Sequence, residues 1–274
     1  TGNTSASAAA YAARAGIQSV VLIPEGKIAL GKLAQAIAHK ARILQVRGNF
    51  DDCLVLARDL SYNYAVHLVN SVNPDRLEGQ KTASFEVFDA LGFVPDYHVM
   101  PVGNAGNYSA YFKGYAELQG HGYTNQLPKQ LGFQAAGAAP FVSGGPVANP
   151  ETIATAIRIG NPASWDLAIE AQQVSGGEFD TVTDEEILSM HRYLSNEAGI
   201  FVEPSSATGA AGRLKFASQN KLPTDAKVVI TVTGHGLKDV GWALKDESGN
   251  DIQPTSCSKN AAEVAELLGL EKNS

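Results

Sequence analysis

Apolar residues along this chain come in two rhythms. Short unbroken runs predict buried strands: SVVLIP (19–24), ARILQV (41–46), AVHLVN (65–70), YHVMPV (97–102), IFVEP (200–204) and AKVVITV (226–232). Between them the apolar positions take a helical period. LGKLAQAIAHKA (30–41) puts Leu30, Leu33, Ala34, Ile37 and Ala41 on one face, and FDDCLVLARDL (50–60) and GQKTASFEVFDALG (79–92) read as further helices, the latter ending at Gly92 as a C′ glycine. Tyr108, Tyr111, Phe112 and Tyr115 recur at i, i+3, i+4 and i+7, the stripe of a helix with one buried face. TDEEILSMHRYLSNEAG opens with Thr183 and Glu186 spaced as a capping box and closes on Gly199, and a small-residue helix starts from about Ser206. Strands alternating with helices predict an α/β fold, a mostly parallel sheet covered on both faces. The stretch 119–150, rich in Gly, Ala and Pro, reads as a long irregular connection.

The chain has 274 residues, which fits one large α/β domain or two domains sharing a cleft. At 44% hydrophobic and 18% charged it can bury a sizeable core. The net charge of −7 argues against non-specific nucleic-acid binding and against a membrane-surface role. Two cysteines, Cys53 and Cys257, make no disulfide framework, so the cytoplasm is the expected compartment. No apolar run approaches the roughly 18 residues of a membrane span. The first residue is Thr1 and no signal-peptide pattern follows it, so the chain is expected to start in mid-fold. The six histidines show no paired metal spacing, and no metal site is expected.

Candidate chemistry lies in three polar, glycine-containing loops, each at the end of an α/β element. In open α/β sheets ligands sit beyond the carboxyl ends of strands, where helix N-termini offer unpaired N–H groups to an anion. PVGNAGN (101–107) fits that design: Gly103 and Gly106 are expected to allow close approach and positive φ, while Asn104 and Asn107 add side-chain amides. Such a nest of main-chain amides can bind phosphate without Lys or Arg. TGNTSAS (1–7) precedes an alanine-rich helix, with Thr4, Ser5 and Ser7 as candidate caps, and TVTGHG (231–236) follows a strand. In NSVNPDR (70–76), Asn70 ends a predicted strand, Pro74 bars regular helix and Arg76 falls in a polar loop. Glu203, at a strand end in VEPSS, reads as packing at a helix N-terminus, with a position facing the cleft as the alternative; Lys81 reads as a surface charge and Cys53 as core.

TGNTSAS, NSVNPDRLEGQKT (70–82), PVGNAGN, ETIATAIRIGNPASW (151–165) and TVTGHGLKD (231–239) together resemble the threonine synthases. These are pyridoxal-phosphate enzymes of the tryptophan synthase β-like superfamily (fold type II). The resemblance implies two domains with a cofactor cleft between them, a smaller mobile one over 1–65 and a larger one over 66–274, the fold being incomplete at its N-terminus. It implies that Asn3 hydrogen-bonds the 3-oxygen of pyridoxal 5′-phosphate, that Gly103, Asn104, Ala105, Gly106 and Asn107 cradle its phosphate, and that Thr233 offers a hydroxyl to its pyridine nitrogen. Thr1, Thr4 and Ser5 would meet the substrate carboxylate, and Asn70, Ser71 and Arg76, helped by Asn104, the substrate phosphate. The implied reaction converts O-phospho-L-homoserine and water to L-threonine and phosphate, in a cytoplasmic homodimer.

The Schiff-base lysine of such enzymes is expected upstream of Thr1, and none of the lysines present, Lys81 and Lys238 included, sits at a position matching it. The chain as given is therefore expected not to turn over alone. Two rivals stand beside this reading: a threonine or serine dehydratase-like β-eliminating enzyme, and a non-catalytic ligand-binding remnant.

Overall fold

Along YHVMP the side chains alternate between two cores, and this alternation organises the molecule. The computed structural model describes residues 2–26, 30–71, 73–246 and 248–271. Strand β3 (Tyr97–Pro101) sits inside a four-stranded parallel sheet with β4 (Lys129–Ala135), β5 (Glu178–Val182) and β6 (Val228–Ile230), in the order β5-β4-β3-β6. Val99 faces Leu131 and Ile230 in register, and Met100, next along, points to the opposite face. On Val99's side the core gathers Leu131, Phe133 and Val182 with Ile187 and Met190 of α9 (Asp184–Asn196) and Ala207, Ala211 and Phe216 of α10 (Pro204–Ser218). On Met100's side it gathers Tyr108, Tyr111 and Tyr115 of α6 (Gly106–Gly120), Ala168 and Ala171 of α8 (Trp165–Ser175), and Phe179. Both faces are covered, as unbroken apolar strands require.

The N-terminal part builds a second, two-stranded parallel sheet from β1 (Val20–Pro24) and β2 (Arg42–Val46), paired Val20↔Arg42 through Pro24↔Val46. With α1 (Asn3–Ala15) and α2 (Leu30–Ala38) it encloses a small core of Ala9, Val21, Ile23, Leu33 and Ala36. In α3 (Phe50–Asn63), Cys53 is buried as expected. Two short helices follow, α4 (Pro74–Gln80) and α5 (Thr82–Leu91), and α7 (Pro140–Ser143) lies between β4 and α8. By contacts the chain divides into Thr1–Val240 and Gly241–Ser274. The second unit holds an antiparallel bridge, Lys245↔Asp251, and α11 (Ala261–Leu267), capped by Asn260 Oδ1 accepting from the Ala262 amide at 2.9 Å.

Several expectations need correction. AVHLVN (65–70) is not a strand: among the described residues no partner pairs with it, and Val66 and Val69 are about half exposed. IFVEP contributes a single antiparallel bridge, Val202↔His235, because Pro204 already starts α10. Pro74 does not bar a helix. It occupies the first turn of α4, where a missing N–H costs nothing, and Asn73 caps that turn through Oδ1 to the Asp75 amide at 2.7 Å. Arg76 is thus helical, and 79–92 is divided between α4 and α5. The stretch 119–150 contains β4 and α7, not one irregular connection. The Gly92 cap and the Thr183–Glu186 capping box are both present, while α9 ends at Asn196, ahead of Gly199.

Candidate cofactor and phosphate site

The site forms where β3 ends. After Pro101 and Val102 the chain turns through 103–105 and enters α6 at Gly106. The turn depends on Ala105, which is buried and takes the left-handed conformation at φ 61°. Neither Gly103 nor Gly106 has positive φ, against expectation. Gly103 is needed for closeness instead: a Cβ there would lie 3.0 Å from the Ile157 Cα. At Gly106 a Cβ would meet Leu77 Cδ2 at 3.7 Å, an ordinary van der Waals contact.

No side chain caps α6. Among the described residues, the amides of 103–107 donate to no protein acceptor, whereas Val102 N–H, one residue earlier, donates to the Phe133 carbonyl at 2.8 Å and closes the sheet. A row of unspent N–H groups at the positive end of a helix is an anion cradle. Its shape is fixed from outside. The Asn104 carbonyl accepts from Ser164 N–H (3.1 Å), Asn104 Oδ1 accepts from Ala163 N–H (3.1 Å), and Asn104 Nδ2 donates to Ser71 Oγ (3.2 Å). Asn107 Nδ2 donates back to the Pro101 carbonyl at 2.7 Å.

Segment 151–165 wraps this loop. Thr152 and the Ile153 amide are tied to Asp184, and the Ala156 amide donates to Ser205 Oγ at 3.0 Å. Next along α10, Ser206 Oγ accepts from Thr233 N–H at 2.6 Å, which positions the loop after β6. Glu203 N–H donates to the Gly234 carbonyl at 2.9 Å, and the Glu203 carboxylate accepts from Asn3 Nδ2 at 2.8 Å. The three loops expected from sequence therefore communicate through 151–165 and the first turn of α10, with Thr233 exposed beside them.

Asn3 is the first residue of α1, and neither Thr4 nor Ser5 caps it. Ser5 Oγ donates to the Gly2 carbonyl at 2.8 Å, and Thr4 makes no side-chain bond among the described residues. Thr1 lies outside the described residues. Asn70 accepts, through its carbonyl, from Asn73 N–H at 3.2 Å. Arg76 is half-buried, and its guanidinium makes no ion pair or hydrogen bond among the described residues. Burial lowers its pKa from the ordinary value, yet a guanidinium remains a cation at neutral pH. Lys81, by contrast, is engaged with Glu78 (2.7 Å) and Glu117 (2.8 Å), in a surface network that also holds Lys113. His235 is exposed, its Nδ1 accepting from Leu237 N–H at 3.1 Å, which suits a structural role. Sequence reasoning missed the left-handed alanine and the Ser205 and Ser206 hydroxyls. A pocket of about 580 Å³ along α6, lined by Leu77, Phe112 and Leu167 among others, includes none of 103–107 and is separate from this site.

Among the described residues no helix is long and apolar enough to cross a membrane, and no cluster of metal-ligating side chains occurs. Comparison with known proteins agrees with the geometry. The family described as pyridoxal-phosphate dependent enzyme matches residues 1–234. A threonine synthase from Mycobacterium leprae is 58% identical over 271 residues, covering 98% of this chain and 74% of the relative. One from Synechocystis is 54% identical over 253 residues, 92% of this chain and 65% of the relative. Among solved structures, a threonine deaminase from T.th. superposes with a TM-score of 0.71 at 22% identity, over 86% of this chain and 75% of its own. At that identity the likeness shows the fold alone.

Proposed function

Because this chain belongs to the family of pyridoxal-phosphate dependent enzymes, we propose that residues 103–107 hold the phosphate of pyridoxal 5′-phosphate and that the activity is threonine synthesis. The substrate is O-phospho-L-homoserine and the products are L-threonine and phosphate. What carries the reading is the uncapped start of α6, with unspent amides from 103 to 107 set by the left-handed Ala105. The fit is in charge: an uncapped helix start with unspent amides suits a dianion. The likeness to threonine synthases at more than half identity, over nearly the whole chain, favours this activity over that of a dehydratase.

Bound pyridoxal phosphate supplies an electron sink for carbanions formed on the substrate amino acid. The chain's own residues do the remainder. The nest fixes the cofactor's phosphate end, Asn3 donates to its 3-oxygen, and the Thr233 hydroxyl meets its ring nitrogen. A hydroxyl there, unlike a carboxylate, does not enforce a protonated ring. Thr1, Thr4 and Ser5 receive the substrate carboxylate. Asn70, Ser71 and Arg76 bind the substrate phosphate, Arg76 as a half-buried cation, with no ion pair among the described residues, able to give two parallel hydrogen bonds. The separate sheets on either side of residue 65 support a division into 1–65 and 66–274, although by contacts 1–65 groups with 66–240. A cytoplasmic homodimer completes the proposal; free Cys53 and Cys257 suit a reducing compartment, and sedimentation decides the dimer.

The test uses the full-length protein. Phosphate release from O-phospho-L-homoserine, without ammonia or keto acid released from threonine, is the expected outcome; the reverse pattern makes it a dehydratase. Arg76→Ala should raise KM for phosphohomoserine at least tenfold and leave cofactor loading within about twofold. Equal loss of both would remove Arg76 from the substrate subsite.

A further inference from the structure

Glu203 is a carboxylate spent in an unexpected direction. It is the N-cap residue of α10, at φ −71° and ψ 156°, where an acidic side chain ordinarily accepts from its own helix's first amides. It makes no such cap bond. Its side chain reaches instead to Asn3, 200 residues away in sequence, and accepts from Nδ2 at 2.8 Å. The residue is 2% exposed. It is also wedged: a Cβ on Gly234 would fall 2.1 Å from Glu203 Oε1, so only glycine at 234 admits the carboxylate. Burying a carboxylate is costly unless it is hydrogen-bonded.

We propose that Glu203 is a positioning residue that fixes which end of the Asn3 amide faces the cofactor, presenting an N–H to the 3-oxygen of the pyridoxal ring. The inference rests on the reading of Asn3 given above. An asparagine amide can turn over by half a rotation with little change of shape, exchanging a donor for an acceptor. In the structure Glu203 Oε1 accepts from Nδ2 at 2.8 Å, so the NH₂ end is the one turned to the carboxyl group, and a deprotonated carboxylate would hold it there. One of the two Nδ2 hydrogens is taken by Glu203 and the other remains for an acceptor. The 3-oxygen is such an acceptor when ionised; a flipped amide would oppose it with a carbonyl lone pair. The same contact ties Asn3 to the loop carrying Thr233, since Glu203 also bonds Gly234 through its own N–H. Asn3 through the side chain of Glu203, and the loop of Thr233 through its main-chain N–H, are thus tied to one residue.

The experiment compares two probes that cannot form a covalent link with the protein: pyridoxine 5′-phosphate and its 3-deoxy counterpart. Binding of each is titrated with wild type, Glu203→Ala, Glu203→Gln, Asn3→Ala and the Asn3→Ala/Glu203→Ala double variant, with folding checked by thermal melting. Glu203→Ala should weaken pyridoxine phosphate roughly tenfold, the weight of one charge-assisted hydrogen bond, and leave the deoxy probe within about twofold. Glu203→Gln, which keeps an acceptor oxygen, should recover most of the loss, and Glu203→Ala should add nothing to Asn3→Ala. Equal weakening of both probes, no weakening of either, or additive single-variant losses would overturn the role of Glu203. If wild type binds both probes equally well, the assignment of Asn3 to the 3-oxygen fails and the inference with it. If wild type binds neither, the cofactor reading of the whole site fails.

Discussion

Lowering the pH should destabilise this fold through one histidine. His98 lies on β3 with none of its surface exposed. Its Nε2 shares a hydrogen bond with Thr231 Oγ1 at 2.7 Å and its Nδ1 one with the Tyr115 hydroxyl at 3.1 Å, while the ring stacks on Tyr111 with centroids 5.1 Å apart. A neutral imidazole satisfies both partners with one donor and one acceptor. A protonated one must donate twice, and none of these contacts is a carboxylate. Desolvation accordingly lowers its pKa from 6.5 to about 4. The unfolded chain takes up its proton near pH 6.5, the folded chain only near pH 4, so stability falls as the pH drops between those values and levels off below. At roughly 1.4 kcal/mol per pH unit the full loss is about 3 kcal/mol, a large part of the typical 5–15 kcal/mol of a folded domain. Urea unfolding of wild type and His98→Gln from pH 7 to pH 4 isolates the effect, since carboxylates common to both cancel. The stability difference between the two proteins should change by about 3 kcal/mol across that range. Parallel curves, or a His98 ring proton titrating near pH 6.5 in the folded protein, would refute the reasoning.

Two further outcomes are expected. Thr183→Ala removes the acceptor for Glu186 N–H (3.2 Å) in the capping box of α9 and should cost about 1 kcal/mol by calorimetry. Ala105→Gly should leave stability within about 1 kcal/mol of wild type, since relief of left-handed strain offsets added chain entropy, whereas Ala105→Val should lose roughly 2 kcal/mol or more and weaken inorganic phosphate binding; urea midpoints and titration measure both.

What could be read in advance follows from where side chains point. YHVMPV was legible because both its faces are buried, which makes the apolar run continuous. KQLGFQA, its neighbour in the sheet, was not, because Gln130 and Gln134 interrupt the pattern although neither is exposed. Their amides are used in the interior: Gln130 Nε2 donates to the Tyr108 carbonyl at 3.0 Å, and Gln134 Oε1 accepts from Phe141 N–H at 2.9 Å. The opposite error arose at AVHLVN, whose apolar residues find no ladder to join. At 101–107 the Gly-Asn spacing pointed to a tight turn between β3 and α6 but to the wrong residue for its positive φ. Positive φ is expected of glycine, and only the surrounding packing allows Ala105 to take it. The Asn3–Glu203 bond joins residues far apart in the chain, and no local pattern encodes it.

On the proposed reading two phosphate dianions share one cleft, and the architecture treats them differently for a physical reason. The cofactor must stay, and main-chain amides at 103–107 suit it: their directions are set by the fold, so holding an anion costs no side-chain entropy. The substrate phosphate must leave in every turnover, and a single side-chain guanidinium, Arg76, suits that better than a rigid nest of amides. A second cation placed at the nest would remove the distinction, letting product phosphate compete for the cofactor's seat. Asn104 is where the two arrangements meet. Its backbone belongs to the nest, its Oδ1 is held by Ala163, and its Nδ2 reaches Ser71 beside the substrate subsite. The nest can therefore dispense with charge, because its selectivity comes from fixed geometry, while charge is reserved for the ligand that has to be exchanged.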